Sequence, residues 1–268
     1  MSENKNFKSN QMNNLINELK DNFINFKSTE PSLIEPINYP IHLSTTRVQI
    51  INWIIFICDN LHFNNQTLFR SVIIFDKFLS KNPNIDYNNQ FILNLVAIAC
   101  LSLATKLEEV NCNFVTFLTD NVLNNPENKI YTHTDLTKME FFILKTLKFK
   151  TLYSTALDFN SIYIQLFEYI LNAKEGKNSN VLKNFIFVSE NCLKNFLVND
   201  MFINMSQSDM AFMAFCQTIN NFGMNKIIIN QIQFIFSYGI NGINPKNKEN
   251  DNDINMNKSN NYLTFSSL

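Results

Sequence analysis

Apolar residues recur every three or four positions through most of the chain, the period of a helix with one buried face. Over 11–26, Met12, Leu15, Ile16, Leu19, Phe23 and Phe26 form one such stripe, which predicts an N-terminal helix lying outside the main domain. Pro31, Pro36 and Pro40 then exclude continuous helix, so 27–41 reads as an extended connector. Five helices are expected next, at about 44–60, 66–81, 88–107, 113–123 and 133–147, with Ser44, Thr45 or Thr46 capping the first. The third is apolar all round and should be the central helix, burying Phe91, Leu95, Ala99 and Leu103. A second set follows at 154–171, 179–198, 206–222 and 226–238, and its Asp209 to Cys216 stretch repeats the small-and-aromatic texture of 96–104. The expected organisation is therefore an N-terminal helix and linker (1–44), a first bundle (45–150), a second, incomplete one (151–240) and a disordered Asn- and Lys-rich tail (241–268).

With only 4 Gly and 6 Pro, and with no alternating runs between hairpin turns, the chain has little from which to build a sheet, so the class is all-α. Its 268 residues, 46% hydrophobic, suffice for a large core. A net charge of -1 provides no global field toward nucleic acid or an anionic membrane, which makes another protein the default partner, with no direct nucleic acid and no membrane. The most apolar stretch, 91–104, is shorter than the roughly 18 residues a bilayer needs and is expected to be a buried helix. The polar start lacks an apolar signal region, which points to nucleus or cytoplasm. Cys58, Cys100, Cys112, Cys192 and Cys216 form no C-x-x-C pair and have no His at zinc-finger spacing, so neither metal nor disulfide framework is expected. There is no phosphate loop, nucleophile elbow or H-E-x-x-H, and the 3 His fall in loops or at helix starts; no catalytic residue and no cofactor are expected, and the chain is not read as an enzyme.

Arginine occurs only at Arg47 and Arg70 while lysine is used everywhere else, and a lone Arg suggests a need for its forked donors. Asp76 sits inside the apolar run 72–79 and requires a partner there, since burying it bare would cost several kcal/mol. Arg47 and Asp76 are accordingly expected to pair.

Four blocks then fall in one order: Arg47-x-x-Ile50-Ile51-Asn52-Trp53, Phe75-Asp76-Lys77-Phe78-Leu79-Ser80, Ala104-Thr105-Lys106-Leu107-Glu108-Glu109, and Lys138-Met139-Glu140 with Ile143-Leu144-Lys145-Thr146-Leu147-Lys148-Phe149. Together, across about 45–150, they resemble the cyclin box, and the second set is similar to the family's C-terminal fold. The resemblance implies two tandem cyclin-like five-helix bundles, the second incomplete. It also implies a regulatory subunit that binds and activates a cyclin-dependent serine/threonine kinase in cell-cycle control. In this reading Lys106 and Glu140 grip the kinase's mobile regulatory helix, with Leu103, Leu107, Leu144 and Phe149 as apolar ground around them. Many family members also recruit substrates through an apolar patch on the first helix. The corresponding places here hold Thr46, Gln49, Ile50 and Trp53, two of them polar, so only Ile50 and Trp53 remain as a candidate patch. In the tail, Lys248-Glu249-Asn250 looks like the degradation signal read by the anaphase-promoting ubiquitin ligase. Two rival readings stay open: a transcription adaptor, which wants the zinc ribbon and basic faces missing from the sequence, and a cyclin-fold scaffold that activates no kinase.

Overall fold

A computed structural model describes residues 2–32, 41–82, 85, 86, 89–110, 131–175, 179–224, 228–230, 232 and 235. All regular structure among them is helical: α1 (Ser2–Thr29), α2 (Ile41–Asn60), α3 (Asn65–Lys81), α4 (Gln90–Glu108), α5 (His133–Thr146), α6 (Ala156–Glu175), α7 (Ser179–Val198), a 3-10 turn (Asp200–Phe202) and α8 (Gln207–Asn221). Residues 228–230, 232 and 235 are also helical, with Ile228 and Ile232 buried. The helix expected at 113–123 and the tail lie outside the described residues.

Local chemistry explains most helix ends. Asn64 accepts from the Gln66 amide at the start of α3, Asn89 from Ile92 at α4, and Ser206 from Asp209 at α8. Thr132 and Asp135 close a reciprocal capping box on α5. Its network holds the exposed Asp135 carboxyl below its usual pKa, first through the Thr132 hydroxyl and then through the Thr132 amide. Gly223 ends α8 at φ +62°, a conformation an L side chain rarely adopts. One expected cap differs: α2 begins at Ile41, ahead of Ser44, Thr45 and Thr46, which lie within the helix.

The first bundle is built on two central helices where the sequence suggests one. α4 packs on α2, α3 and α5, whereas α3 touches α2, α4, α5 and also α6 of the second bundle. Every residue of α3 from Thr67 to Leu79 is buried, although Thr67, Arg70, Ser71, Asp76 and Lys77 are polar. Only Asp76 is expected from the sequence to need a partner; in the fold each of the five has one. Lys77, for instance, donates to the Ser32 carbonyl and, at 3.0 Å, to its hydroxyl. Burial pulls its ammonium pKa below the usual value, and Lys81 adds to the effect.

One further expectation is corrected by packing. On α4, Leu95, Ala99 and Leu103 are buried, but Phe91 is 45% exposed and lies against Tyr131, ring centroids 4.4 Å apart. The helix itself is buried as expected: its 19 residues suffice by length and composition alone to cross a membrane, but its middle is enclosed by α2, α3 and α5.

In the second bundle α6, α7 and α8 pack on one another around Phe167, Phe185 and Phe215, with Phe167 stacked on Phe185 at 4.2 Å. α1 does not stand apart. It lies along α6, burying Leu19 and Phe23 and setting Phe23 and Phe26 edge-on to Phe159. Its end is tied by Thr29 to Ser154 at 2.6 Å and by the Glu30 carboxylate, which accepts from the Ser208 amide at 2.7 Å.

Cys58, Cys100, Cys192 and Cys216 are free thiols. Burial, with help from Asp59, pushes Cys58 up to about 12, and burial alone lifts Cys192 and Cys216 to about 11. A raised folded pKa means that the native state holds its proton where the unfolded chain has lost it, so stability falls as pH climbs from about 9 toward about 12. Alkylation at pH 8 should accordingly be slow at all four thiols in the native protein and fast in denaturant; rapid native labelling of Cys58 would contradict this.

Candidate functional site

The site assembles where the C-terminal end of α4 meets α5. Lys106, in the last turn of α4, donates its ammonium to both oxygens of Glu140 on α5, at 2.6 and 2.7 Å. Ser102, one turn earlier on α4, donates to the same carboxylate at 2.6 Å. The pair is asymmetric: the Lys106 side chain is 47% exposed and that of Glu140 only 11%. The carboxylate is thus an internal anchor, and the lysine is the charged group presented outward. Two of three ammonium donors are used on Glu140, leaving one for an external acceptor.

Around the pair the expected apolar residues divide. Leu107 and Phe149 are exposed and Leu144 is half-buried, but Leu103 is buried in the core and offers no surface. Phe149 owes its position to the end of α5. The helix closes through Phe149 N–H donating to the Leu144 carbonyl at 2.8 Å, with Lys148 and Phe149 both left-handed at φ 54° and 58°. This conformation normally falls to glycine or asparagine and strains a bulky residue by about 1 kcal/mol or more. The strained turn buries Leu147 and leaves Phe149 65% exposed, so the fold presents a large ring outward at a cost.

Sequence reasoning missed Phe141 and Leu152, both more than half exposed and flanking Glu140 and Phe149 in the chain. A signal existed for Phe141, since 137, 141 and 144 share one stripe of α5 beside Glu140. The sequence offers no partner for Arg70; in the fold it is buried and donates to Glu108 and to the carbonyls of Thr151 and Tyr153. Its neighbour Glu109 turns inward too, accepting from the Asn64 amide at 2.8 Å and from the Thr67 hydroxyl.

Arg47 meets Asp76 as a fork: Nε reaches Oδ1 at 2.9 Å and Nη2 reaches Oδ2 at 2.8 Å. A third member comes from the second bundle, Asp200, accepting from Nη1 at 3.2 Å. No local signal could have found it, 153 residues away. On α2, Ile50 is buried and Trp53 is half-buried against the core. Among its described side chains the exposed positions are Thr45, Gln49, Asn52, Phe56, Asp59 and Asn60, a mostly polar face. Lys248, Glu249 and Asn250 lie outside the described residues.

The family model described as "Cyclin, N-terminal domain" matches residues 20–152, a span that contains α2 to α5 and the whole of this site. The chain belongs to the cyclin family. Among curated proteins, Cyclin-B2-2 of Arabidopsis thaliana is 29% identical over 175 residues, 64% of this chain and 37% of that protein. Cyclin-D3-3 of Arabidopsis thaliana is 25% identical over 77% of this chain and 54% of its own length, and G2/mitotic-specific cyclin-A of Hydra viridissima is 31% identical over 53% and 31%. The chain therefore spans between about a third and a half of the length of these relatives. A viral cyclin from herpesvirus saimiri shares the fold, with a TM-score of 0.57 at 16% identity, covering 85% of this chain and 92% of that one. The likeness thus extends past the matched cyclin domain into the second bundle.

Proposed function

We propose that this chain is a cyclin regulatory subunit that docks on a cyclin-dependent serine/threonine protein kinase through the α4–α5 face and activates it, in control of the cell cycle. Membership of the family supports a regulatory, non-catalytic role. The observation that carries the docking reading is the outward Phe149, held in a left-handed turn whose N–H bonds Leu144, one turn past Glu140 on α5, together with the half-exposed Lys106 and the exposed Leu107 next to it in the chain. Charged groups at the edge of an apolar patch set orientation as well as affinity. Docking would press the kinase's regulatory helix inward and complete the geometry that phosphoryl transfer needs, while this chain transfers nothing itself. Action in nucleus or cytoplasm and recognition of the tail by a ubiquitin ligase belong to the same proposal.

The direct ion pair dictates the test. Lys106→Glu alone sets a second carboxylate against a mostly buried one and should lower stability by about 2 kcal/mol, so loss of activity in that variant would be ambiguous. The exchanged pair, Lys106→Glu with Glu140→Lys, restores attraction inside the chain but reverses the polarity shown to a partner. It should melt within a few degrees of the parent and yet fail to stimulate any of a panel of purified cyclin-dependent kinase subunits that the parent activates. An exchanged pair that stimulates as the parent does would remove this site from the function.

A further inference from the structure

We propose that Arg70 is a positioning residue for the docking face, setting the spacing between its α4 half and its Phe149 half; this rests on the function proposed above. Arg70 projects from α3, is 8% exposed, and is neither on the face nor in contact with the Lys106–Glu140 pair. Its guanidinium joins two segments that α3 alone would not bring into register. Nε donates to Glu108, the last residue of α4, two positions after Lys106. Nη1 donates to the backbone carbonyls of Thr151, at 3.3 Å, and Tyr153, at 2.8 Å. Those carbonyls bracket Leu152, 67% exposed, and follow the strained turn that presents Phe149.

Apart from Arg70, the segment from Phe149 to Tyr153 is held by α5 and its closing turn, Phe149 N–H bonding the Leu144 carbonyl at 2.8 Å, while Ser154 just beyond it is tied to Thr29 of α1. Lys150 N–H bonds Leu147 at 3.0 Å and Tyr153 N–H bonds Thr151 at 3.1 Å, contacts local to the turn and blind to where α4 lies. Arg70 supplies the connection to α4. A planar fork fixes direction as well as distance, whereas a lysine at this place would give a single point of attachment. A docking face that is already in its bound geometry spares the partner the ordering of two loose segments, so the clamp should act on affinity rather than on the fold.

The test uses the full chain with Arg70→Met, which keeps the aliphatic stem in the core, and Arg70→Lys as the second variant should the first fail to fold. In the free protein, with cooperative melting retained, amide hydrogen exchange across 149–153 is expected to quicken about tenfold. Affinity for a purified cyclin-dependent kinase subunit that the parent binds is expected to fall about tenfold. In a Phe149→Gly background the same Arg70 substitution should change affinity by less than about twofold, because the group it positions is gone. Unchanged exchange at 149–153 would overturn the inference, as would an affinity loss equally large with and without Phe149, the mark of a general structural role. If no kinase subunit binds the parent chain, the functional reading falls, and the exchange measurement still decides whether Arg70 holds the segment.

Discussion

Replacing Asp76 with alanine is expected to lower the unfolding free energy by about 3 kcal/mol. Arg47 is only 3% exposed and gives two of its donors to Asp76 in a parallel fork. Without that carboxylate a guanidinium stays where water has little access, and a buried charge with an incomplete shell is far costlier than a lost surface contact. Asp200 cannot replace the partner: it is 31% exposed and meets a different nitrogen at 3.2 Å. Asp200 still offsets part of the guanidinium charge, which places the loss at the low end for a broken buried pair, and Asp200→Ala should cost about 1 kcal/mol or less. Denaturant unfolding of both variants checks the ranking. Equal, small effects would mean that Arg47 is reached by solvent and that the pair adds little.

The second large effect concerns binding. Phe149→Gly removes an exposed ring and relieves a left-handed backbone, so two stability terms oppose each other: release of about 1 kcal/mol of strain against the greater freedom of glycine in the unfolded chain. Thermal melting should consequently move little or rise slightly. If Phe149 seats in a pocket of the partner kinase as a central aromatic anchor, its loss should cost about 2 to 4 kcal/mol of affinity. Phe149→Ala serves as the comparison, since it loses the ring and keeps the strain. A variant that is as stable as the parent and a hundredfold weaker in kinase stimulation is the expected outcome. Undiminished stimulation would place the partner elsewhere on the chain.

Helix identity was readable because it is local. The three-and-four spacing of Val72, Phe75, Leu79 or of Leu136, Met139, Ile143, Leu147 follows from 3.6 residues per turn, whereas the one cap expected from the sequence, at Ser44, Thr45 or Thr46, falls inside α2, and the caps at Asn89 and Thr132 emerge only in the structure. The Arg47–Asp76 contact could be inferred as a need, since an acid in an apolar run requires a cation and arginine is scarce here. Lys106 and Glu140 could be named only through family likeness, because nothing within a few residues of either distinguishes it from an ordinary surface charge.

What only the tertiary structure decided is which polar groups go inside and which apolar ones stay out. Residues 67–79 of α3 look amphipathic, and they are buried throughout because α2, α4, α5 and α6 surround the helix and supply Glu108, Glu109 and backbone carbonyls to its polar side. Leu103 and Phe149 carry the same sequence signal, yet one fills the core and the other faces outward, the difference being a left-handed turn that hydrophobic periodicity does not encode. Asp200 joins Arg47, and Thr151 joins Arg70, across separations of 153 and 81 residues. A period of 3.6 residues records which side of a helix turns inward; it holds no record of what arrives from the far end of the chain to meet that side.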